Sequence, residues 1–391
     1  MGARLIRAPA GTGGFAAAWR AELAHLRRSP GDLAFITVLP LAMLLVMAWL
    51  FSASAIRALP VAVVDLDRSA DSRQLLRTLD ASPGVRVATQ PASLAEAFSQ
   101  VRALQAFAVV YVPADFSRRS LRGEQVPVVV YYNASYLAAG QSAVRDVVEA
   151  LGAYNARMVV ERLGPQLGPD KLRPAPVAVQ SQVLFNPARS YALFLLPLIF
   201  AAVLSLGAAL SMTAALGREV RDASLETWLG TRPLRAVAGK LAPYLLLFSA
   251  YGLAAALWCG HAHGSGVSGS IIVLALGQLL FNLAGAGIAL LMVGVLRDMG
   301  SALSLIGLSI GASLAFSSAT FPTLEAPLFT RAWSAVLPLT AYVKLQMQQL
   351  LMGSPWQASL WPMATLTLIA LVAGTIGHVG LLGLRRRGAA R

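Results

Sequence analysis

Long uncharged runs alternate with short charged ones along most of this chain. Apolar runs fall at about 33–55, 191–216, 241–260, 271–296, 301–320 and 360–382. Each is about 20 residues or longer, enough to cross ~30 Å of hydrocarbon at ~1.5 Å per residue. The pattern predicts a polytopic α-helical membrane protein with six transmembrane helices. Before the first run, Phe15, Trp19, Leu23 and Leu26 recur at helical spacing, with Arg20, Glu22, Arg27 and Arg28 off that stripe. This predicts an interfacial helix within a 1–32 tail, leading into a first span assigned to 33–56.

Residues 57–189 break the apolar pattern. Strands are expected at 61–67, 85–89, 107–112, 126–132 and 177–184. Helices are expected at 69–80, 93–104, near Phe116 and over 137–163. Ser69 and Ser93 stand as caps, with Glu96 completing a capping box. Alternating strands and helices predict an α/β domain with a mixed sheet, inserted between helices one and two. Residues 190–384 hold the other five spans. Within them, 321–357 is apolar but interrupted by Pro322, Pro327, Pro338 and Pro355, so short re-entrant or interfacial helices are expected there. Residues 385–391 form a basic tail.

The stretch 217–240 differs from an ordinary connection, which needs only a handful of residues. It carries Arg218, Glu219, Arg221, Asp222, Glu226, Arg232 and Arg235, with Pro233 in the middle. Residues 218–229 are expected to form a short amphipathic helix at a membrane face, a handle for something outside the membrane. The plainer reading is a solvated basic loop that only fixes topology.

Composition agrees with the apolar pattern. Of 391 residues, 57% are apolar and 13% charged, against about 25% charged in soluble domains. The net charge of +14 is explained by Lys and Arg at the cytoplasmic ends of membrane helices, and no nucleic acid is expected. Arg4, Arg7, Arg20, Arg27, Arg28, the 217–240 cations, Arg297, Arg385, Arg386, Arg387 and Arg391 fall on one side. Only Arg331 and Lys344 fall in the short loops on the other. Both termini and 217–240 are therefore expected in the cytoplasm, with the α/β domain outside. The first run is too long for a signal peptide core, so no signal peptide is expected.

Catalytic chemistry is hard to find. The sequence has no GxxxxGK[ST] phosphate loop, HExxH or CxxC. Cys259 is the single cysteine, which leaves no intrachain disulfide and no cysteine metal site. His261 and His263 lack an evident third ligand, and no metal or catalytic site is expected. Asp65 and Asp67 read as caps for the following helix rather than a catalytic pair. His378 is the ionisable group within a span, a candidate by default, although a neutral histidine bonded between helices is the commoner case. The sequon Asn133-Ala134-Ser135 reads as chance.

Three stretches together resemble the permease subunits of type-2 ABC exporters, in the bacterial group with a large extracytoplasmic domain after the first span. Residues 59–87 resemble the start of that domain. Residues 217–240 resemble the family's R-E-x-x-x-G-T-x-E coupling helix and the Pro and Gly-Lys that follow, with Arg218, Glu219, Glu226, Pro233, Gly239 and Lys240 in place. The family's Gly-Thr is Ala223-Ser224 here, a change expected to favour helix. Residues 321–354 resemble the outer segment before the last span, with Pro322, Pro327, Pro338, Leu339, Thr340 and Gly353 matching.

The resemblance implies an exporter permease without its own ATP site, moving an amphipathic or lipid-like substrate. It implies a separate cytoplasmic ATPase subunit carrying ATP and Mg, a homodimer or heterodimer with a second permease, and a bacterial inner-membrane location among membrane lipids. A periplasmic adaptor is implied where the cell has two membranes. Arg218, Glu219, Arg221, Glu226 and Thr227 are the candidate contacts to the ATPase. Substrate-binding residues are not readable. A non-transporting surface receptor that uses the outer domain is the alternative.

Overall fold

The computed structural model describes residues 14–51, 58–122, 124, 126–133, 137–167, 191–262, 266–317 and 326–389. Two compact units emerge: residues 1–54 with 183–391, and residues 55–182. The expected strand at 177–184, the cations Arg4 and Arg7, and His263 and Pro322 lie outside the described residues.

The first unit is helical. It begins with α1 (Phe15–Arg28), α2 (Pro30–Ile36) and α3 (Val38–Leu50). In the second unit come β1 (Leu59–Asp65), α4 (Ala70–Asp80), β2 (Val85–Thr89), α5 (Leu94–Arg102), β3 (Ala108–Val112), α6 (Phe116–Leu121), β4 (Val129–Tyr132) and α7 (Leu137–Leu167). The first unit resumes with α8 (Tyr191–Arg221), α9 (Leu225–Leu229), α10 (Pro233–Ala262), α11 (Ile271–Leu296), α12 (Met299–Gly311), α13 (Leu328–Val336), α14 (Pro338–Leu350) and α15 (Leu360–Ala389).

In the α/β unit the strand order is β2-β1-β3-β4, with β1 parallel to both neighbours and β4 antiparallel to β3. The central strand β1 is apolar on both faces, as a strand covered on both sides must be. Val61 and Val63 join the core with Leu75 and Leu79 of α4 and Val147 of α7, while Ala62 and Val64 meet Ala97 of α5. The Ser69 side chain accepts a hydrogen bond from the Ser72 amide and caps α4. Ser93 caps α5 through the Glu96 amide, and the Glu96 carboxylate accepts in return from Ala92, one residue before the cap. Asp65 accepts from the Asp67 and Arg68 amides and from the Ser72 hydroxyl, and Asp67 accepts from the Ser117 amide. Both carboxylates thus tie loops together, as Asx-type backbone acceptors do.

Among the described residues five helical segments of the first unit are long and apolar enough to cross a membrane: Pro30–Leu50 (α2 with α3), Ala192–Arg221, Pro233–Ala262, Ile271–Leu296 and Trp356–Arg386. The sixth expected span, 301–320, differs. Its described residues form the shorter α12 and a 3-10 turn at Ala312–Leu314. Small residues explain the helical core. A Cβ at Gly377 would lie 2.3 Å from the Leu290 carbonyl carbon, and one at Gly294 would lie 2.4 Å from the Gly377 oxygen. α11 and α15 therefore pack backbone to backbone, the close approach that small residues permit between membrane helices. Buried polar groups pair between helices: Tyr342 donates to Gln278, and Asn282 donates to Ser249 at 2.9 Å. The proline-interrupted segment forms α13 and α14, which meet at Leu337 before Pro338, and a 3-10 turn at Trp356–Ser359. His378 lies half-buried in α15, and its Nδ1 has no hydrogen-bond partner among the described residues.

Candidate coupling site

The expected amphipathic helix over 218–229 does not form as one element. α8 runs on to Arg221, three residues intervene, and α9 begins at Leu225. The break sits at Ala223, whose φ of 53° is left-handed. That backbone costs an L-residue about 1–2 kcal/mol and is where glycine is favoured. The expectation that Ala223 would favour a continuous helix is therefore corrected. The helix ends here because the chain must turn, and alanine fits that turn worse than glycine.

α9 is one short turn of helix with two different faces. Leu225 and Leu229 are buried, while Glu226 and Thr227 are exposed. The Thr227 hydroxyl donates to the Ser224 carbonyl at 2.9 Å, which closes the N-terminal end of α9. From the other side, Arg385 of α15 donates to the Gly230 carbonyl at 2.9 Å. Arg221 is exposed and pairs with its neighbour Asp222 at 2.9 Å. The outward surface of the segment includes Arg221, Asp222, Glu226, Thr227, Arg232 and Arg235.

Arg218 and Glu219 are placed differently. They face inward, into a linked set of charged side chains that draws on α1, α2, α8 and α10. Arg218 bonds Glu22 through Nη2 and Asp32 through Nη1, the latter at 2.8 Å. Lys240 bridges Glu22 at 2.7 Å and Glu219 at 2.6 Å. The Tyr244 hydroxyl donates to Glu22 at 2.6 Å, and the Ser224 hydroxyl donates to Glu219. His25 Nε2 lies 2.7 Å from Asp32. The Lys240 ammonium also sits 5.4 Å from the centre of the Trp228 ring, a cation–π contact.

Glu22 is the centre of this set and is 2% exposed. Burial by itself pushes its carboxyl pKa up. The Lys240 and Arg218 charges, with hydrogen bonds from Lys240 and Tyr244, outweigh burial and hold it below the ordinary glutamate range.

In the sequence Glu22 lies off the apolar stripe expected for α1 and carries no expected role. The helix buries Ala18, Glu22 and Leu26 instead, a face rotated from the predicted one. Two signals pointed to this. Ala18, Glu22 and Leu26 stand four apart, and Lys240 is a cation at the start of an apolar run that needs an anion. Gly239 completes the arrangement. A Cβ there would lie 2.2 Å from the Phe15 carbonyl oxygen, so glycine lets α1 lie directly on α10.

The arrangement is a set of linked ion pairs and hydrogen bonds. One exposed turn is tied by ion pairs and hydrogen bonds to the ends of two long apolar helices and to the interfacial helix. Among the described residues no group of His, Cys, Asp and Glu could hold a metal ion.

Comparison with curated proteins and with solved structures gives no significant match. Residues 31–379 match the model of the ABC-2 family transporter proteins. That match spans most of the chain, so the chain belongs to this family: it is a transporter permease, a multi-pass membrane component of an ABC-2 system.

Proposed function

We propose that the chain is the membrane half of an ATP-driven exporter, worked by a separate cytoplasmic ATPase that grips α9. The observation that carries this reading is the contrast within 217–240. Glu226 and Thr227 face outward, whereas Arg218 and Glu219 bind the segment to the helices behind it. A handle must be exposed on one side and anchored on the other.

Two permeases, identical or paired with a second kind, would stand over two ATPase subunits that carry the ATP and Mg. When the ATPase pair closes, it pushes on α9. The load passes through Ser224 and Glu219 to Lys240 on α10, and through Arg218 to Glu22 on α1 and Asp32 on α2. The second span and α12 then part or close a path along the dimer interface for an amphipathic or lipid-like substrate. The α/β unit stands outside the cell's inner membrane, where an adaptor protein could receive cargo from it.

Glu226→Arg reverses a charge on the exposed turn and leaves the buried set untouched. Transport and substrate-stimulated ATPase activity are expected to be lost, with expression and dimerisation unchanged. Normal transport in that variant would overturn the assignment of Glu226. Purification of the intact chain with no ATPase attached, under conditions that preserve the dimer, would favour a receptor instead.

A further inference from the structure

With Glu22 and Leu26 buried, the other three residues of the predicted α1 stripe, Phe15, Trp19 and Leu23, are turned away from the core. Phe15 is 47% exposed, and Trp19 and Leu23 are half-buried. Two open grooves adjoin at Trp19, between α1 and the flank of α10. One, of about 570 Å³, is lined by Phe15, Trp19, Arg20, Leu245 and Leu246, and its surface is almost wholly apolar. The other, of about 490 Å³, is lined by Trp19, Leu23, Arg27, Pro243 and Leu246, together with Leu33 of α2. Both volumes fall in the ~300–1,000 Å³ range of small-ligand sites.

The charge at the rim is specific. Arg20 and Arg27 stand seven residues apart, so they share a helix face about 10.5 Å apart along the axis. Neither forms an ion pair among the described residues, and the Arg20 Nε donates only to the Ala16 carbonyl of its own helix. Arg28, next to them, is exposed as well. The grooves therefore offer apolar walls for chains and free guanidinium groups for a phosphate.

We propose that this double groove binds one anionic phospholipid from the leaflet on which α1 lies. Its acyl chains occupy the two halves on either side of Trp19, and its phosphate sits between Arg20 and Arg27. The lipid fills the gap between α1 and α10 beside the Glu22 set and so helps hold the interfacial helix to the coupling helices. The inference rests on the reading that α1 lies at a membrane face. It needs neither a partner ATPase nor transport, so its test is independent of those.

The full-length permease is reconstituted in nanodiscs that mix phosphatidylglycerol and phosphatidylcholine with the same chains. It is then extracted, and the retained lipid is counted by native mass spectrometry. A preference for phosphatidylglycerol on the order of tenfold is expected from two unpaired arginines. The double variant Arg20→Gln, Arg27→Gln should lose that preference, and Leu246→Trp should lower retention of both lipids. Equal retention of the two lipids by the native chain, or an unchanged preference in the double variant, would mean ordinary annular lipid and overturn the proposal. A second readout needs no arginine variant. Brominated phosphatidylglycerol should quench the fluorescence component that Trp19→Phe removes at lower mole fraction than brominated phosphatidylcholine. Equal quenching by the two would also overturn it.

Discussion

Replacing Lys240 with methionine removes the cation that two carboxylates share. The side chains are similar in length, so packing changes little while the charge disappears. Lys240 is 5% exposed, and its ammonium bonds Glu22 at 2.7 Å and Glu219 at 2.6 Å. With His25 counted neutral, the native set holds three carboxylates, Glu22, Asp32 and Glu219, against two cations, Arg218 and Lys240. It is already one negative charge in excess, and Lys240→Met doubles that excess. Breaking a buried ion pair by removing one partner costs about 3–5 kcal/mol.

Glu22→Gln acts in the other direction. It cancels the excess charge, leaves Lys240 with Glu219 and Arg218 with Asp32, and keeps an acceptor for Tyr244. Its cost is expected nearer 1–3 kcal/mol, that of an imperfectly satisfied buried group. Unfolding of the purified permease in detergent, by heat or denaturant, gives both values. The double variant should cost less than the sum of the singles, with a coupling of about 1–3 kcal/mol.

A pH series sharpens the test. The Glu22 pKa is lowered by folding, so its contribution is fully present above the ordinary glutamate range and is lost as pH falls through the lower folded value. Glu22→Gln should flatten that acid limb. If Lys240→Met costs under about 0.5 kcal/mol, or the two changes add to within about 0.5 kcal/mol, then the linked charges do not act as one body and the argument fails.

Three further outcomes follow from backbone geometry. Ala223→Gly should raise stability by up to about 1 kcal/mol, because φ is 53° there; a continuous helix would give the opposite sign, a loss of about 1 kcal/mol. Gly239→Ala puts a Cβ 2.2 Å from the Phe15 carbonyl oxygen, so faster hydrogen exchange in α1 is expected, with a cost of about 1–3 kcal/mol. Gly377→Ala should destabilise the α11–α15 contact by a similar amount in thermal unfolding. Gly383→Ala, in the same helix with nothing within 4 Å of its Cβ, should be close to neutral and serves as its control.

Local pattern was enough for five apolar helices of spanning length, the α/β segment and the polar character of 217–240, whereas the sixth expected span is a shorter helix. An apolar run of about 20 residues has few alternatives to a spanning helix. A serine before a helix with a glutamate three residues on is a cap wherever it occurs. The exposed residues Glu226 and Thr227 were legible for the same reason, since polar side chains in a short charged loop need no tertiary contact to be placed outside.

What only the tertiary structure decided is where the charges go. Glu22 lies 196 residues from Arg218 and 218 from Lys240, and no periodicity joins positions so far apart. Arg218 and Glu219 read as surface contacts because charged residues are rarely buried unless paired, and their partners sit on other helices. The turn at Ala223 was equally hidden: alanine reads as helix, and only the path from α8 to α10 imposes a left-handed residue there. The α1 face that is buried also depends on its neighbour. Hydrophobicity alone favoured Phe15, Trp19, Leu23 and Leu26; of these only Leu26 is buried, because the ion pairs of Glu22 and the missing side chain of Gly239 turn α1 onto α10 and leave the other three at the open edge.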